Sequence, residues 1–131
     1  MEENLVLDSG ALSALAQEDE AIRVAFREAL RRGATIVVPT AVIAESLTGD
    51  GSRDARVNRF LGSAALAELD ETLARKAAHL RHTLRARRAG TIDAIVVATA
   101  DELPGTVLLT TDPDDLRPLA AIRGTTRVVA L

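Results

Sequence analysis

The chain contains no cysteine, no tryptophan and no tyrosine, and it has only one lysine. Without cysteine there can be no disulfide framework, no thiolate metal site and no cysteine nucleophile. Phe26 and Phe60 are the only aromatic side chains, so stacking on bases cannot be the main mode of nucleic-acid recognition. The net charge of −3 argues against binding of nucleic acid by bulk charge alone.

No part of the sequence has the pattern of a targeting or membrane segment. The N-terminus has neither a basic start nor a long apolar run, and no stretch is long enough to span a bilayer. Together with the missing cysteine, this suits a reducing compartment, and we expect a cytoplasmic protein with no membrane contact. The length of 131 residues predicts a single domain over 1–131.

Short apolar runs alternate with amphipathic segments along the chain. The runs at 36–38 and 107–109 are uniformly apolar, which is typical of strands buried on both faces of a parallel sheet. Helical periodicity is clearest over 71–88. Further helices are predicted at 18–32, 40–47 and 92–102, and a short strand at 66–69. The sequence therefore predicts an α/β fold, a parallel β-sheet flanked by helices on both faces.

Four acidic residues stand out by their positions in this pattern. Asp8 and Asp112 follow predicted strands, Asp93 lies in the first turn of a helix, and Glu45 is the only charge in an apolar segment. Each has an ordinary interpretation: a helix N-cap for Asp8 and Asp112, a favourable charge at a helix N-terminus for Asp93, and a solvent-exposed helix end for Glu45. Sites in parallel sheets form outside the carboxyl ends of the strands, however, and all four acids can reach that edge.

Carboxylates that converge at one edge would repel each other unless a cation joins them. Mg²⁺ binds through a few carboxylates and keeps several waters, and Mn²⁺ accepts similar oxygen ligands. Such a site can activate a water and offset the charge that develops on a phosphodiester. We therefore predict a Mg²⁺ or Mn²⁺ site formed by Asp8, Glu45, Asp93 and Asp112.

The segments around these acids resemble a known family. LVLDSGAL, VVPTAVIAESL, TIDAIVVATA and LLTTDPDDL, in this order, resemble the four acidic motifs of PIN-domain ribonucleases, and most closely those of the VapC-like toxins of toxin–antitoxin pairs. The resemblance covers nearly the whole chain and implies a metal-dependent endoribonuclease, a homodimer and a cognate antitoxin. It makes the four acids catalytic, and it adds one auxiliary acid and two supporting hydroxyl residues: Asp115, Ser9 and Thr110.

Two surface features are candidates for contacts with partners. Arg81, Arg85 and Arg88 fall on one face of the predicted helix at 71–88, where an RNA backbone could lie or where the charges could simply be solvated at the helix C-terminus. The apolar-rich segment Asn58–Leu69, with Phe60 and Leu61 as anchors, is the candidate surface for self-association or antitoxin binding.

Two other functions remain open alternatives to a ribonuclease. A phosphoacceptor signalling domain would have paired acids after its first strand and a lysine after a late strand, whereas here Asp8 stands alone and Lys76 lies within a helix. A non-catalytic PIN-like interaction module could keep the fold, but the presence of all four acids disfavours it.

Overall fold

The computed structural model describes residues 3–17, 20–84 and 90–131, and within these ranges the chain forms five strands and seven helices. The strands are β1 (Asn4–Leu7), β2 (Thr35–Pro39), β3 (Ala65–Ala67), β4 (Thr106–Thr110) and β5 (Arg127–Ala130). The helices are α1 (Ser9–Ala16), α2 (Glu20–Arg31), α3 (Thr40–Ser46), α4 (Gly51–Leu61), α5 (Glu71–Thr83), α6 (Thr91–Glu102) and α7 (Pro113–Arg123).

The strands form one sheet in the order β3-β2-β1-β4-β5, and every neighbouring pair is parallel. Leu5 in the central strand β1 lies opposite Ile36 of β2 on one side and Val107 of β4 on the other. The chain builds the sheet outward from β1 through β2 to β3, and then returns to add β4 and β5 on the other side. This reversal between β1 and β4 leaves a crevice outside the carboxyl ends of these two strands.

Helices cover both faces of the sheet. On one face α1 contacts α2, α3 and α4, and on the other α5, α6 and α7 contact one another. This division follows from right-handed crossovers, which place connecting helices on opposite faces when the sheet grows in opposite directions. The predicted parallel sheet flanked by helices on both faces is therefore confirmed. In the parts of the chain that the structure describes, no helix is long and apolar enough to cross a membrane.

The centre of the core lies between β1, β4 and α6. Val6, Leu7 and Leu108 are fully buried, as the apolar strand runs predicted. Along α6, residues 94–100 are all buried, because this helix lies between the sheet and the helices α5 and α7. This buried helix fixes the position of Asp93, which lies in its first turn and thus at the carboxyl edge of the sheet.

Several element ends differ from the predictions. The helix predicted over 71–88 ends at Thr83, and residues 85–89 lie outside the described residues. The strand predicted at 66–69 is Ala65–Ala67, one residue earlier at its start. The last helix ends where Gly124 adopts a φ of 73°, and its backbone N–H donates to the carbonyl of Ala120. Glycine adopts this left-handed conformation without the steric cost that other residues incur.

The predicted anchors of the apolar surface segment are wrong. Phe60 and Leu61 are only partly exposed, because they lie on the side of α4 that packs against the core. The ring of Phe60 also contacts that of Phe26, with centroids 5.5 Å apart. Within the same segment, Leu66 on the edge strand β3 and Leu69 are instead exposed.

Candidate active site at the carboxyl edge of the sheet

Asp8 joins the end of β1 to the start of α1. Its Oδ1 accepts a hydrogen bond from the backbone N–H of Ala11 at 2.8 Å, so the side chain does cap the helix as its position suggested. Its Oδ2 accepts a hydrogen bond from the hydroxyl of Thr110, at the end of β4. Both oxygens are therefore held, and the carboxyl group is buried with a fixed orientation.

Thr110 connects the first acid of the site to the fourth. Its side chain is fully buried, and while its hydroxyl donates to Asp8, the same oxygen accepts the backbone N–H of Asp112 at 2.9 Å. A single hydroxyl group thus ties together the two strand ends that flank the crevice. The hydroxyl residue singled out by resemblance therefore has a geometric role in this structure.

Asp112 and Asp115 form a second pair of acids at this edge. Asp112 occupies the N-cap position of α7 but makes no capping hydrogen bond with its side chain. A hydrogen bond with the side chain of Asp115, followed by the negative charge of the same residue, raises the pKa of Asp112. The ordinary interpretation of Asp112 as a capping residue is thus not realised, because its carboxyl group faces another carboxyl group.

Asp93 is half-buried in the first turn of α6 and is surrounded by negative charge. Burial raises the pKa of Asp93 from 3.8 to about 6, with further contributions from nearby charges. Those charges, in decreasing order of effect, are the carboxylates of Asp115, Glu45, Asp8 and Asp112. Carboxylates at the ends of β1 and α3 and at the start of α7 therefore act through space on Asp93 in the first turn of α6.

Glu45 lies one residue before the end of α3, and its side chain is exposed. The interpretation of Glu45 as a solvent-exposed residue at a helix end agrees with the structure, because this helix has only seven residues and buries Val42 alone. Glu45 belongs to the acidic edge because its charge raises the pKa of Asp93. Ser9, the first residue of α1, is partly buried directly after Asp8.

The donor atoms at this edge suit a hard divalent cation. They are carboxylate oxygens and a threonine hydroxyl, which are the ligand types that Mg²⁺ and Mn²⁺ accept. Among the described residues, however, no group of three or more acidic or histidine side chains is arranged so that it could hold a metal ion. The residues fit such an ion in chemical type and charge, and the carboxylates would have to move closer together to bind it.

Gly10 allows the first turn of α1 to approach the turn between β4 and α7. A Cβ atom at this position would lie 2.0 Å from Oγ1 and 3.2 Å from Cβ of Thr111. Rotation of the Thr111 side chain could relieve the first contact but not the second. The sequence contains this glycine two residues after Asp8, yet nothing in the sequence indicates that Thr111 lies against it.

Asp54 is a buried carboxylate that the sequence analysis missed. Its oxygens accept the backbone N–H groups of Thr48 and Gly49 and the hydroxyl of Thr48, at 2.8–3.0 Å. Hydrogen bonding by the backbone of Thr48 lowers the pKa of Asp54. These bonds close the loop that follows the helix of Glu45 and fix it to the start of α4. The pattern TGDGSRD indicates a loop but does not tell which aspartate is buried.

The predicted basic face is only partly within the described residues. Arg81 is exposed in the last turn of α5. Arg85 and Arg88 lie outside the described residues. Since α5 ends shortly before α6 begins, and α6 begins at the acidic edge, Arg81 lies at the same end of the fold as the acids.

Comparisons with known proteins agree with this architecture. The family model of the PIN domain matches residues 5–121. Solved structures with the same fold include VapBC2 from Rickettsia felis bound to a DNA fragment from their promoter (14% identity, 98% of each chain, TM-score 0.77). They also include DNA-bound VapBC from Salmonella typhimurium (16%, 98% of each chain, 0.77) and VapBC-1 from nontypeable Haemophilus influenzae (14%, 97% of each chain, 0.75). No curated protein matches the chain at a significant level.

Proposed function

Because the chain belongs to the PIN-domain family, we propose that it is a single nuclease domain, a metal-dependent endoribonuclease. The observation that carries this proposal is the environment of Asp93, a half-buried carboxyl group whose pKa is raised by burial and by four other carboxylates. If Asp93 served only to stabilise the N-terminus of α6, four neighbouring carboxylates would repel its charge without any benefit to the fold. Perturbed acids at the switch point of a parallel sheet are typical of functional sites.

We propose that Mg²⁺ or Mn²⁺ is held by Asp8, Glu45, Asp93 and Asp112, with Asp115 as an auxiliary ligand. Such a cation would supply the positive charge that activates a water and offsets the charge developing on the phosphodiester. Within the chain, Thr110 and the N–H of Ala11 would keep the carboxylate of Asp8 in one orientation. Ser9, next to Asp8, is a candidate for orienting a water.

The proposed reaction is hydrolysis of an internal RNA phosphodiester bond. The oxygen of water forms a bond to phosphorus, and the bond from phosphorus to the 3′ oxygen breaks. The products carry a 5′-phosphate and a 3′-hydroxyl group, and the 2′-hydroxyl group of the substrate takes no part as nucleophile. The carboxylates around Asp93 support this route because water activation by a metal ion requires no histidine as general base.

We further propose that the chain is the toxin of a toxin–antitoxin pair, with a cognate antitoxin as its protein partner. The similarity to the three VapBC structures supports this proposal, as does the order of the acidic motifs. Expression of the wild-type chain without a partner should then arrest bacterial growth, and expression of the Asp93→Asn variant should not. Equal growth in both cultures would contradict the toxin assignment.

A homodimer is proposed through the part of the segment Asn58–Leu69 that follows α4, where Leu66 and Leu69 are the exposed apolar side chains. Leu66 lies on the edge strand β3, whose outer side has no neighbouring strand within the described residues. Light scattering should then find a dimer for the wild type and a monomer for Leu66→Asp. Val24→Asp, which replaces an equally exposed side chain on α2, should remain a dimer.

Cleavage of single-stranded RNA, with and without added Mg²⁺ or Mn²⁺, tests the nuclease proposal. Asp8→Asn and Asp93→Asn should lose at least about a hundredfold in rate, since even changes around metal ligands cost about 10–100-fold. Asp101→Asn is the matched control. Asp101 is another half-buried aspartate of α6 with a pKa raised by burial, but it lies at the opposite end of the helix and accepts a hydrogen bond from Thr126.

The control should cleave RNA at the wild-type rate. Activity that survives EDTA treatment would contradict the metal dependence. Equal losses of cleavage rate in Asp93→Asn and Asp101→Asn would indicate a general effect of altering α6. The assignment of the acidic edge as the active site would then be refuted.

A further inference from the structure

Helix α4 carries a row of exposed arginines, of which only Arg53 acts on a nearby acid within the described structure, by helping to lower the pKa of Asp54 through its charge. Arg53, Arg56 and Arg59 are exposed and follow one another at a spacing of three residues, so their side chains lie along one side of the helix. None of the three makes an ion pair with residues 3–17, 20–84 or 90–131. We call these residues the α4 arginine row.

The two acids nearest to the row in the sequence accept hydrogen bonds from the backbone and form no ion pair with the row. Asp50, at the N-cap, accepts the backbone N–H groups of Ser52 and Arg53. Asp54 is buried and bonded to the loop that precedes the helix. The backbone thus occupies both carboxylates close to the row.

Within the described residues, each of the other helices carries at most one exposed arginine without an ion pair: Arg27 on α2, Arg81 on α5 and Arg117 on α7. On α2, Arg31 and Arg32 both lie within ion-pair distance of Glu28, and on α5 Arg75 pairs with Glu71 at 3.1 Å. These pairs have the three- and four-residue spacings of neighbours on a helix surface. Among the described helices, α4 therefore differs in carrying three exposed arginines without an ion pair, where the others have at most one.

The α4 arginine row starts beside the acidic edge. Hydrogen bonds from Thr48 and Gly49 to Asp54 fix the start of α4 to the loop directly after the helix of Glu45. Along its length α4 contacts α1, the helix that Asp8 caps. Arg53, in the first turn of α4, is therefore the member of the row that follows Glu45 most closely in the sequence. Arg56 and Arg59 lie progressively further from the acidic edge along α4.

We propose that the α4 arginine row binds the sugar–phosphate backbone of a single-stranded RNA and leads it to the acidic edge. This inference rests on the proposed nuclease function and names a substrate-binding surface for it. Side chains three residues apart on a helix have Cβ atoms about 5–6 Å apart, which suits successive phosphates of one strand. Arginine binds phosphate through two parallel hydrogen bonds, and the row offers this contact without first breaking an ion pair.

The proposal also accounts for how an acidic protein could bind an anionic strand. The overall net charge is −3, so binding requires positive charge concentrated in one place. With no tyrosine or tryptophan to stack on bases, contacts with phosphates must supply a large share of the affinity.

The test compares two triple variants with the same change in net charge. The first replaces the α4 arginine row with glutamine (Arg53→Gln, Arg56→Gln and Arg59→Gln). The second is the control and replaces three ion-paired arginines on other elements (Arg31→Gln, Arg75→Gln and Arg127→Gln). Both are made in the Asp93→Asn background so that the RNA is not cut, and a labelled single-stranded RNA is titrated at several salt concentrations.

The α4 variant should bind RNA more weakly than its parent, and its salt slope should be shallower by up to about 2, or about 0.7 for each lost phosphate contact. The control should keep most of the parent's affinity and slope. Circular dichroism checks that the triple variants are folded. If the α4 triple variant does not fold, Arg56→Gln alone replaces it, with an expected change in slope of up to about 0.7.

Equal weakening in both triple variants would overturn the proposal, because overall charge and not the row would then govern binding. Unchanged affinity in the α4 variant, while the wild type still cleaves RNA, would also overturn it and leave the nuclease function standing. The row would in that case be available to an acidic segment of a protein partner. A wild type that neither binds nor cleaves RNA would refute both the row and the nuclease proposal.

Discussion

Replacing Asp93 with asparagine should make the protein more stable at neutral pH while removing its activity. The folded state raises the pKa of Asp93 from 3.8 to about 6, by burial and by the surrounding carboxylates. A raised carboxyl pKa means that the folded chain holds this proton more tightly than the unfolded chain does. As the pH rises from about 3.8 to about 6, the wild type therefore loses stability that the asparagine variant keeps.

The size of the effect follows from the same shift. About two pKa units correspond to at most about 3 kcal/mol, at 1.36 kcal/mol per unit. Asp93 is only half-buried, and solvent screening reduces the repulsion that it experiences, so we expect a gain of about 1 kcal/mol. For a chain of this length, this gain should raise the Tm by roughly 3–6 °C.

Thermal unfolding of wild type and Asp93→Asn at a series of pH values measures this difference. The two proteins should have similar stability near pH 4, separate between pH 4 and 6, and keep a constant difference above that range. Added Mg²⁺ should narrow the difference at neutral pH, because a bound cation stabilises the folded wild type by mass action. A variant that is less stable at neutral pH, or a difference that does not change with pH, would refute the electrostatic reasoning.

Three further predictions concern residues around the site. Gly10→Ala should lower the cleavage rate about tenfold, because the added methyl group displaces Thr111 by a few tenths of an ångström. Adding Thr111→Gly should restore part of the activity, and full activity of the single variant would contradict this contact. Asp54→Asn should lower the Tm, because it removes a carboxylate that accepts several hydrogen bonds. Since folding lowers the pKa of Asp54, the loss of stability should be greatest above pH 3.8 and should shrink as the pH falls below that value. A Tm that does not change would mean that these hydrogen bonds contribute little. Arg81→Gln should raise KM with little change in kcat, because a contact with the RNA backbone binds the ground state and the transition state equally. Steady-state kinetics measures both constants, and an unchanged KM would mean that Arg81 is only a solvated surface residue.

The parallel sheet flanked by helices could be predicted because buried strands have a recognisable local pattern, whereas the assignment of the four acids to one site stays a prediction. Uniformly apolar strand runs such as 36–38 are typical of a sheet covered on both faces, and acids that follow such runs are expected at its carboxyl edge. The sequence pattern does not show how far a residue lies from the end of a short helix. Glu45 stands in an apolar segment, and only the structure shows that it is exposed near the end of the seven-residue helix α3.

Features that depend on contacts between distant segments could not be predicted. The hydroxyl of Thr110 contacts Asp8 across 102 positions of the chain, and Thr111 contacts Gly10 in the same turn. Phe60 lies on the core side of α4 and packs against Phe26, whereas the sequence placed it among the exposed anchors. The contact of Thr110 with Asp8 is set by the pairing of β1 with β4, and the other contacts are set by how the helices pack, so no single segment of the sequence determines them.

The central claim is that carboxylates at the edge of the sheet hydrolyse RNA with the help of a divalent cation. Single-turnover cleavage of an end-labelled RNA, with analysis of the new ends, tests it most directly in wild type and Asp93→Asn. The account predicts cleavage only with Mg²⁺ or Mn²⁺, products with 5′-phosphate and 3′-hydroxyl ends, and no cleavage above background in the variant. Products that carry a 2′,3′-cyclic phosphate, or cleavage that persists in EDTA and in Asp93→Asn, would contradict it.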